Sequence, residues 1–253
     1  MALLKLLVSH LDAVGVQASL EHLELVAPGP VVVCHGGQRA DFDALGDVPK
    51  LFLDDPGLRG PAATRQSYTT ALVEAWRRWV QADATIDAVL VLEFDHVPLA
   101  PAFQDELLGL LDASGADMLG KDCADYTATN WWHRIRYRDD EALMAHLAGL
   151  SVRDDPTRLY GCLGTGFILR REALAAFAGV EHLPGIYVEL YVPTVIHHLG
   201  FRVDNVDRLA ALYDHVRWSP PYSLDEVRAL QRAGATVVHP FKATGELHML
   251  REA

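Results

Sequence analysis

Asp87-Ala-Val-Leu-Val-Leu-Glu-Phe-Asp-His-Val-Pro-Leu, residues 87–99, is the stretch from which the rest of the chain can be read. An unbroken apolar run, Ala88 to Leu92, stops abruptly at Glu93, Phe94, Asp95 and His96. A short apolar run bounded in this way is the pattern of a strand buried on both faces of a parallel sheet. Side chains alternate along a strand, so Glu93 and Asp95 are expected on one side and Phe94 on the other. Two carboxylates at the carboxyl end of a buried strand make an oxygen-rich corner suited to a hard divalent cation. That end of an open α/β sheet is also where ligands bind.

Working outward, strands and helices alternate through the first half. Residues 3–8 read as a strand, 16–25 as a helix, 30–34 as a second strand and 50–53 as a third. The third runs into Asp54-Asp55-Pro56-Gly57, a turn signal. Apolar residues recur at helical spacing over 67–79, ahead of the 87–99 segment, and 101–111 and 116–119 follow as helix and strand. This order predicts a mainly parallel, doubly wound α/β sheet. Residues 121–138, rich in Trp, Tyr, Asn and charge, show no clear period and read as a long irregular excursion. Beyond them, Gly161-Cys-Leu-Gly-Thr-Gly leads to a helix at 171–177, then a helix at 188–199 and a strand at 201–206. A helix at 224–233 precedes a last strand, 235–238, which stops at His239-Pro240-Phe241-Lys242. Nothing resembles a linker or a repeat, so one domain over 1–253 is expected.

Composition narrows the function. Thirty-four acidic against 22 basic residues give a formal charge of −12 over 253 residues, which argues against nucleic acid or an anionic membrane as a general partner. Three scattered cysteines, Cys34, Cys123 and Cys162, are too few for a disulfide framework and read as reduced core thiols. The apolar N-terminus is interrupted by Lys5 and lacks a basic lead and a cleavage site, so it reads as a strand. No segment approaches the roughly 18 apolar residues of a membrane span. A cytoplasmic protein is expected, with peripheral attachment to a membrane complex left open.

Glu93-Phe94-Asp95 resembles the Asp-x-Asp metal and nucleotide-sugar motif of GT-A glycosyltransferases, with Glu in place of the first Asp. The resemblance extends along most of the chain as a series of landmarks. It implies a single Rossmann-like GT-A domain, with 1–120 as the nucleotide-binding half and 121–253 as the acceptor-side half. Gly60-Pro-Ala-Ala-Thr-Arg-Gln-Ser is similar to the small-residue segment before the donor-site helix, which would bring Arg65 to the nucleotide. Tyr187-Val-Glu-Leu-Tyr resembles the segment in which an acid opens a helix and serves inverting members as general base. Glu189 is the matching residue, although many relatives carry a second acid where this chain has Leu190. Near the C-terminus such enzymes often supply a histidine ligand with a basic residue beside it for the diphosphate, and His239 and Lys242 match. The implied site is then Glu93, Asp95 and His239 around Mn²⁺ or Mg²⁺, with the imidazole nitrogen favouring Mn²⁺. The implied substrates are a nucleoside-diphosphate sugar and a glycan or small-molecule acceptor.

Other candidates rest on position alone. Ser9-His10 and His35-Gly36-Gly37 each follow a strand at the ligand-binding edge and are placed to line a nucleoside pocket. Asp54, or Asp55, ends the third strand and is placed to accept a ribose or base hydrogen bond. Trp131, Trp132 and Tyr137 suit either stacking on an acceptor sugar or a core beneath a loop, His96 and His248 are weaker alternative ligands, and His197-His198 reads as packing or surface. An α/β-hydrolase is excluded because no Gly-x-Ser-x-Gly elbow occurs. A Rossmann dehydrogenase is excluded because the first strand runs into Ser-His-Leu-Asp instead of a glycine-rich turn. Two rivals remain: a non-catalytic sugar-nucleotide-binding or scaffold protein of polysaccharide assembly, and a sugar-phosphate nucleotidyltransferase. The latter usually carries a glycine-rich basic loop after its first strand, which this chain lacks.

Overall fold

The computed structural model describes residues 2–54 and 67–252. The first half runs β1 (Ala2–Ser9), α1 (Ala13–Val26), β2 (Val31–His35), α2 (Arg39–Ala44), β3 (Lys50–Phe52) and α3 (Ser67–Ala75). A π-helical turn, Trp76–Val80, extends α3 before β4 (Ile86–Glu93), β5 (Val97–Pro98), α4 (Ala102–Ser114) and β6 (Met118–Gly120). The second half runs β7 (Ala124–Asp125), α5 (Trp132–Tyr137), α6 (Glu141–Leu150), β8 (Tyr160–Gly161), β9 (Phe167–Arg170), α7 (Arg171–Ala178) and α8 (Val188–His198). The chain finishes with β10 (Val203–Asn205), α9 (Leu224–Arg232), β11 (Val237–Val238) and a 3-10 segment, Thr244–Glu252.

Seven strands form one sheet in the order β3-β2-β1-β4-β9-β6-β10. All neighbours are parallel except β9, which runs antiparallel to both β4 and β6. The mainly parallel α/β sheet expected from the alternation is therefore the one the chain forms. Both faces are covered, as the near-continuous apolar strands require. Leu4, Leu6, Val8, Val89 and Val91 pack with Tyr68, Leu72, Leu174 and Phe177 on one side. Leu3, Leu7, Leu90 and Leu92 pack with Leu23, Phe103, Leu107 and Leu111 on the other. Period-2 alternation thus divides each central strand between two helical layers. At about 25 cal/mol per Å² of apolar surface removed from water, these two layers supply most of the favourable folding free energy.

The second half departs from expectation where local pattern was shortest. The 121–138 stretch is not one irregular excursion: it holds β7 and α5, and β7 pairs antiparallel with β8. Six helical residues are too few to show a period, and the partner of β7 lies more than thirty residues away in sequence. The last strand is also shorter than expected, reduced to β11, which pairs with β5 outside the main sheet. An unanticipated helix, α6, is capped by Asp140, whose side chain accepts from the Leu143 N–H.

Candidate active site

The strand carrying the first acid ends at Glu93, so Asp95 does not belong to it. A tight turn follows, closed by the His96 N–H donating to the Glu93 carbonyl at 2.9 Å. The two carboxylates converge because this turn folds Asp95 back, not because the strand alternates. Each is held from a different element. The Glu93 N–H donates to the Thr165 hydroxyl oxygen at 2.8 Å, and the Tyr68 hydroxyl donates to the Glu93 carboxylate. The Asp95 carbonyl accepts from Phe241 N–H at 2.9 Å, which brings the C-terminal segment across the sheet edge.

That crossing delivers His239. Its Nε2 stands 3.4 Å from Asp95 Oδ1 and 4.0 Å from Glu93 Oε2. Glu93, Asp95 and His239 each offer a ligand atom within 4.8 Å of the others. The far side of the ring is fixed: Nδ1 lies 2.7 Å from the Arg217 carbonyl. A carbonyl only accepts, so Nδ1 carries a proton and Nε2 is the nitrogen turned toward the acids. Asp95 Oδ1, in a residue only 4 % exposed, has no hydrogen-bond partner. A buried carboxylate oxygen and an imidazole nitrogen facing one another, with a second carboxylate beside them, form an arrangement that a cation satisfies. The donor set, two carboxylates and one imidazole, fits Mn²⁺ or Mg²⁺, with the nitrogen favouring Mn²⁺.

Neither alternative histidine joins this set. His96 turns away from the acids to pack on Phe103 and Tyr213, and burial, reinforced by the neighbouring His239 imidazole, holds its own imidazole well below the ordinary value. Its ring fills the space beside Gly166, where an added Cβ would collide with Cε1. His248 is exposed on the final 3-10 segment, with Nδ1 on the Gly245 carbonyl.

The same cleft holds Glu189, Lys242 and Tyr187, with Trp218 at its mouth. Trp218 is 80 % exposed. Glu189 lies in the first turn of α8, where an acid would ordinarily serve the helix dipole. Its carboxylate instead reaches sideways: Oε1 accepts from Gly164 N–H at 3.1 Å and Oε2 lies 3.2 Å from His133 Nε2. Its main chain is anchored from outside as well. Pro193, inside α8, has no N–H to give to the carbonyl four residues back, and that carbonyl accepts from Cys162 N–H at 2.9 Å. His133 escaped the sequence reading because α5 carries no period and its contact with Glu189 is remote in sequence.

Ser9 ends β1, His10 follows it and Asp54 follows β3, so all three lie at the carboxyl edge that also carries Glu93. Ser9 is buried and its hydroxyl accepts from Leu11 N–H at 3.2 Å, whereas His10 and Asp54 are exposed. The His10 ring meets Phe94 edge-on at 4.7 Å, a neighbour not anticipated from sequence. His35, expected in a nucleoside pocket, is fully buried with Nε2 on the Leu11 carbonyl at 2.9 Å, so it braces the loop after β1. Trp131 packs inward against Gly161 and Tyr137 is buried, which leaves only Trp132 of that aromatic trio exposed. His197 stacks on Tyr160 and His198 bonds Ser151 and the Arg158 carbonyl, as packing residues do. Arg65 and Asp55 lie outside the described residues.

No protein-family model matches the chain, and no curated protein matches it. Solved structures with a related chain course include Mycobacterium tuberculosis glucosyl-3-phosphoglycerate synthase in complex with Mn²⁺, uridine-diphosphate-glucose and phosphoglyceric acid. That alignment covers 91% of this chain and 76% of the other at 17% identity, with a TM-score of 0.43. Another structure of the same enzyme aligns over 91% and 77% at 18% identity, with a TM-score of 0.45. The chemistry of the site rests on its own geometry.

Proposed function

We propose that this protein is a metal-dependent glycosyltransferase that moves a sugar from a nucleoside-diphosphate donor to an acceptor hydroxyl with inversion. The observation that carries the reading is the opening of two chemically distinct groups into one cleft. These are the Glu93, Asp95 and His239 corner and the separately held Glu189 carboxylate. Glu93, Asp95 and His239 would hold Mn²⁺ or Mg²⁺, which supplies Lewis-acid stabilisation of the charge on a departing diphosphate. Lys242 lines the same cleft and adds a positive charge that an anionic donor needs in a chain of net charge −12. Glu189 accepts the proton of the acceptor hydroxyl as its oxygen bonds to the anomeric carbon and the bond from that carbon to the diphosphate breaks.

His10, Phe94 and Asp54 mark the nucleoside side, with Ser9 shaping the loop beneath them and Arg65 assigned there by its motif. Residues 1–120 thus form the nucleotide half and 121–253 the acceptor half, the latter lending His239 and Lys242 across the divide. Among the described residues no helix is long and apolar enough to cross a membrane. A cytoplasmic enzyme acting on a glycan or small-molecule acceptor is consistent with that reading.

Thermal melting with UDP, GDP, CDP and dTDP, each with and without Mn²⁺, tests the donor site. A ligand at a hundred times its Kd adds about 2.7 kcal/mol. One nucleotide should stabilise the wild type only with metal, and Asp95→Ala should abolish the shift. Glu189→Gln should keep that shift and lose transfer. Absence of any nucleotide shift would remove the donor-site assignment, and undiminished transfer in Glu189→Gln would remove the base.

A further inference from the structure

We propose that His133 is a positioning residue for Glu189, holding its carboxylate in the reactive orientation through an Nε2–H···Oε2 hydrogen bond. This rests on the reading of Glu189 as the base. His133 Nε2 is 3.2 Å from Glu189 Oε2, and the side chain of His133 is only 9 % exposed. Its other nitrogen, Nδ1, is buried with no partner. A ring protonated at Nε2 leaves only an acceptor unpaired at Nδ1, whereas any form protonated at Nδ1 would bury an N–H donor with nothing to receive it. The geometry therefore favours the neutral tautomer that gives its one proton to Glu189.

The ring is clamped by aromatics. It stacks on Tyr187 with centroids 4.1 Å apart and planes 15° apart, and Trp131 meets it edge-on at 4.8 Å. Trp131 in turn lies flush on the backbone of β8, because Gly161 has no side chain there: a Cβ would fall 2.5 Å from the indole. β8 leads straight into Cys162, whose N–H holds the carbonyl of Glu189. One packed unit therefore fixes Glu189 at its main chain and, through His133, at its carboxylate. Each carboxylate oxygen receives one N–H, from Gly164 and from His133, and each keeps a lone pair for an incoming hydroxyl. Carboxylates on flexible side chains are poorly aimed bases, and misplacement of a reacting group by about 1 Å can cost a hundredfold in rate.

Two variants separate the hydrogen bond from the stacking. His133→Phe keeps a ring against Tyr187 but gives no proton, and His133→Gln offers an N–H near the position of Nε2. His133→Phe should lower kcat about tenfold to a hundredfold, with donor KM and the nucleotide-plus-Mn²⁺ melting shift unchanged. His133→Gln should recover most of that kcat. A His133→Phe enzyme at wild-type kcat, or a His133→Gln enzyme as slow as His133→Phe, overturns the proposal. Glu189→Gln keeps the two readings apart. If it transfers at the wild-type rate, the base assignment falls and the positioning role with it. An inactive Glu189→Gln beside a fully active His133→Phe refutes the positioning alone.

Discussion

Replacing Asp95 by Asn should reverse the order of stability between variant and wild type according to whether metal is bound. Without metal, Asp95 Oδ1 is a buried carboxylate oxygen with no hydrogen-bond partner, 3.4 Å from His239 Nε2, and Glu93 Oε2 approaches the same nitrogen at 4.0 Å. An unsatisfied buried polar group costs about 1–3 kcal/mol, and more when it is charged. Asn keeps the shape and removes the buried charge. In EDTA the variant should therefore exceed the wild type by about 1–3 kcal/mol, a rise of about 2–4 °C per kcal/mol in Tm for a chain of this size. Mn²⁺ at a thousand times Kd should raise the wild type by about 4.1 kcal/mol and leave Asp95→Asn almost unmoved, so the two melting curves exchange places. Differential scanning calorimetry in EDTA and in Mn²⁺ reads both effects. A variant less stable than wild type in EDTA would show that Asp95 is a satisfied structural carboxylate, and the ligand argument would fail with it.

The remaining predictions concern the core and the aim of the base. Lys5 is buried in β1, where desolvation lowers its pKa from 10.5 to about 8, opposed by Glu24. Between those values the unfolded chain binds more protons than the folded one, so the Lys5 contribution raises stability as pH rises from about 8 to 10.5, by about 3 kcal/mol in total. Lys5→Met should accordingly show its largest advantage over wild type below pH 8 and lose it by pH 10.5 in urea titrations; a constant difference across that window would contradict the buried-charge account. Gly164→Ala sets a Cβ at 3.2 Å from Glu189 Oε1 and Cγ, tight enough to displace the carboxylate by a few tenths of an ångström. Transfer should fall severalfold with the nucleotide-dependent melting shift intact, and an unchanged kcat would mean that the Gly164 contact does not aim Glu189.

What could be read from the chain was set by local pattern. The apolar run into Glu93 placed the central strand and its carboxyl edge, because burial on both faces leaves an unbroken apolar signature. Glu93, Asp95 and His239 could be named together only through the motif they resemble, and the physical reason for their convergence differs from the one expected. A four-residue turn after β4 and a backbone bond from Phe241 to Asp95 bring them together, not strand alternation. His133 illustrates the opposite case. Its role depends on the β7–β8 pairing, on Gly161 yielding space to Trp131 and on the Tyr187 ring, none of which leaves a periodic trace. His35 departs from its expected place for a related reason: exposure at a strand end cannot be told from sequence when the loop after a neighbouring strand folds over it, as Leu11 after β1 does.

Pro193 gives α8 an unusual mechanical property. In an ordinary helix the first-turn carbonyls are tied to the N–H groups four residues later, so bending or fraying anywhere nearby is passed along the ladder. Here the Glu189 carbonyl is moored to Cys162 instead. The first turn of α8 therefore follows the β8 segment, while its far end follows His198 and the Ser151 hydroxyl that holds it. The missing rung leaves the Glu189 carbonyl tied to the β8 segment and not to the second turn of its own helix. Amide exchange at Cys162 would record the motion of the base directly, separate from the breathing of the rest of the helix.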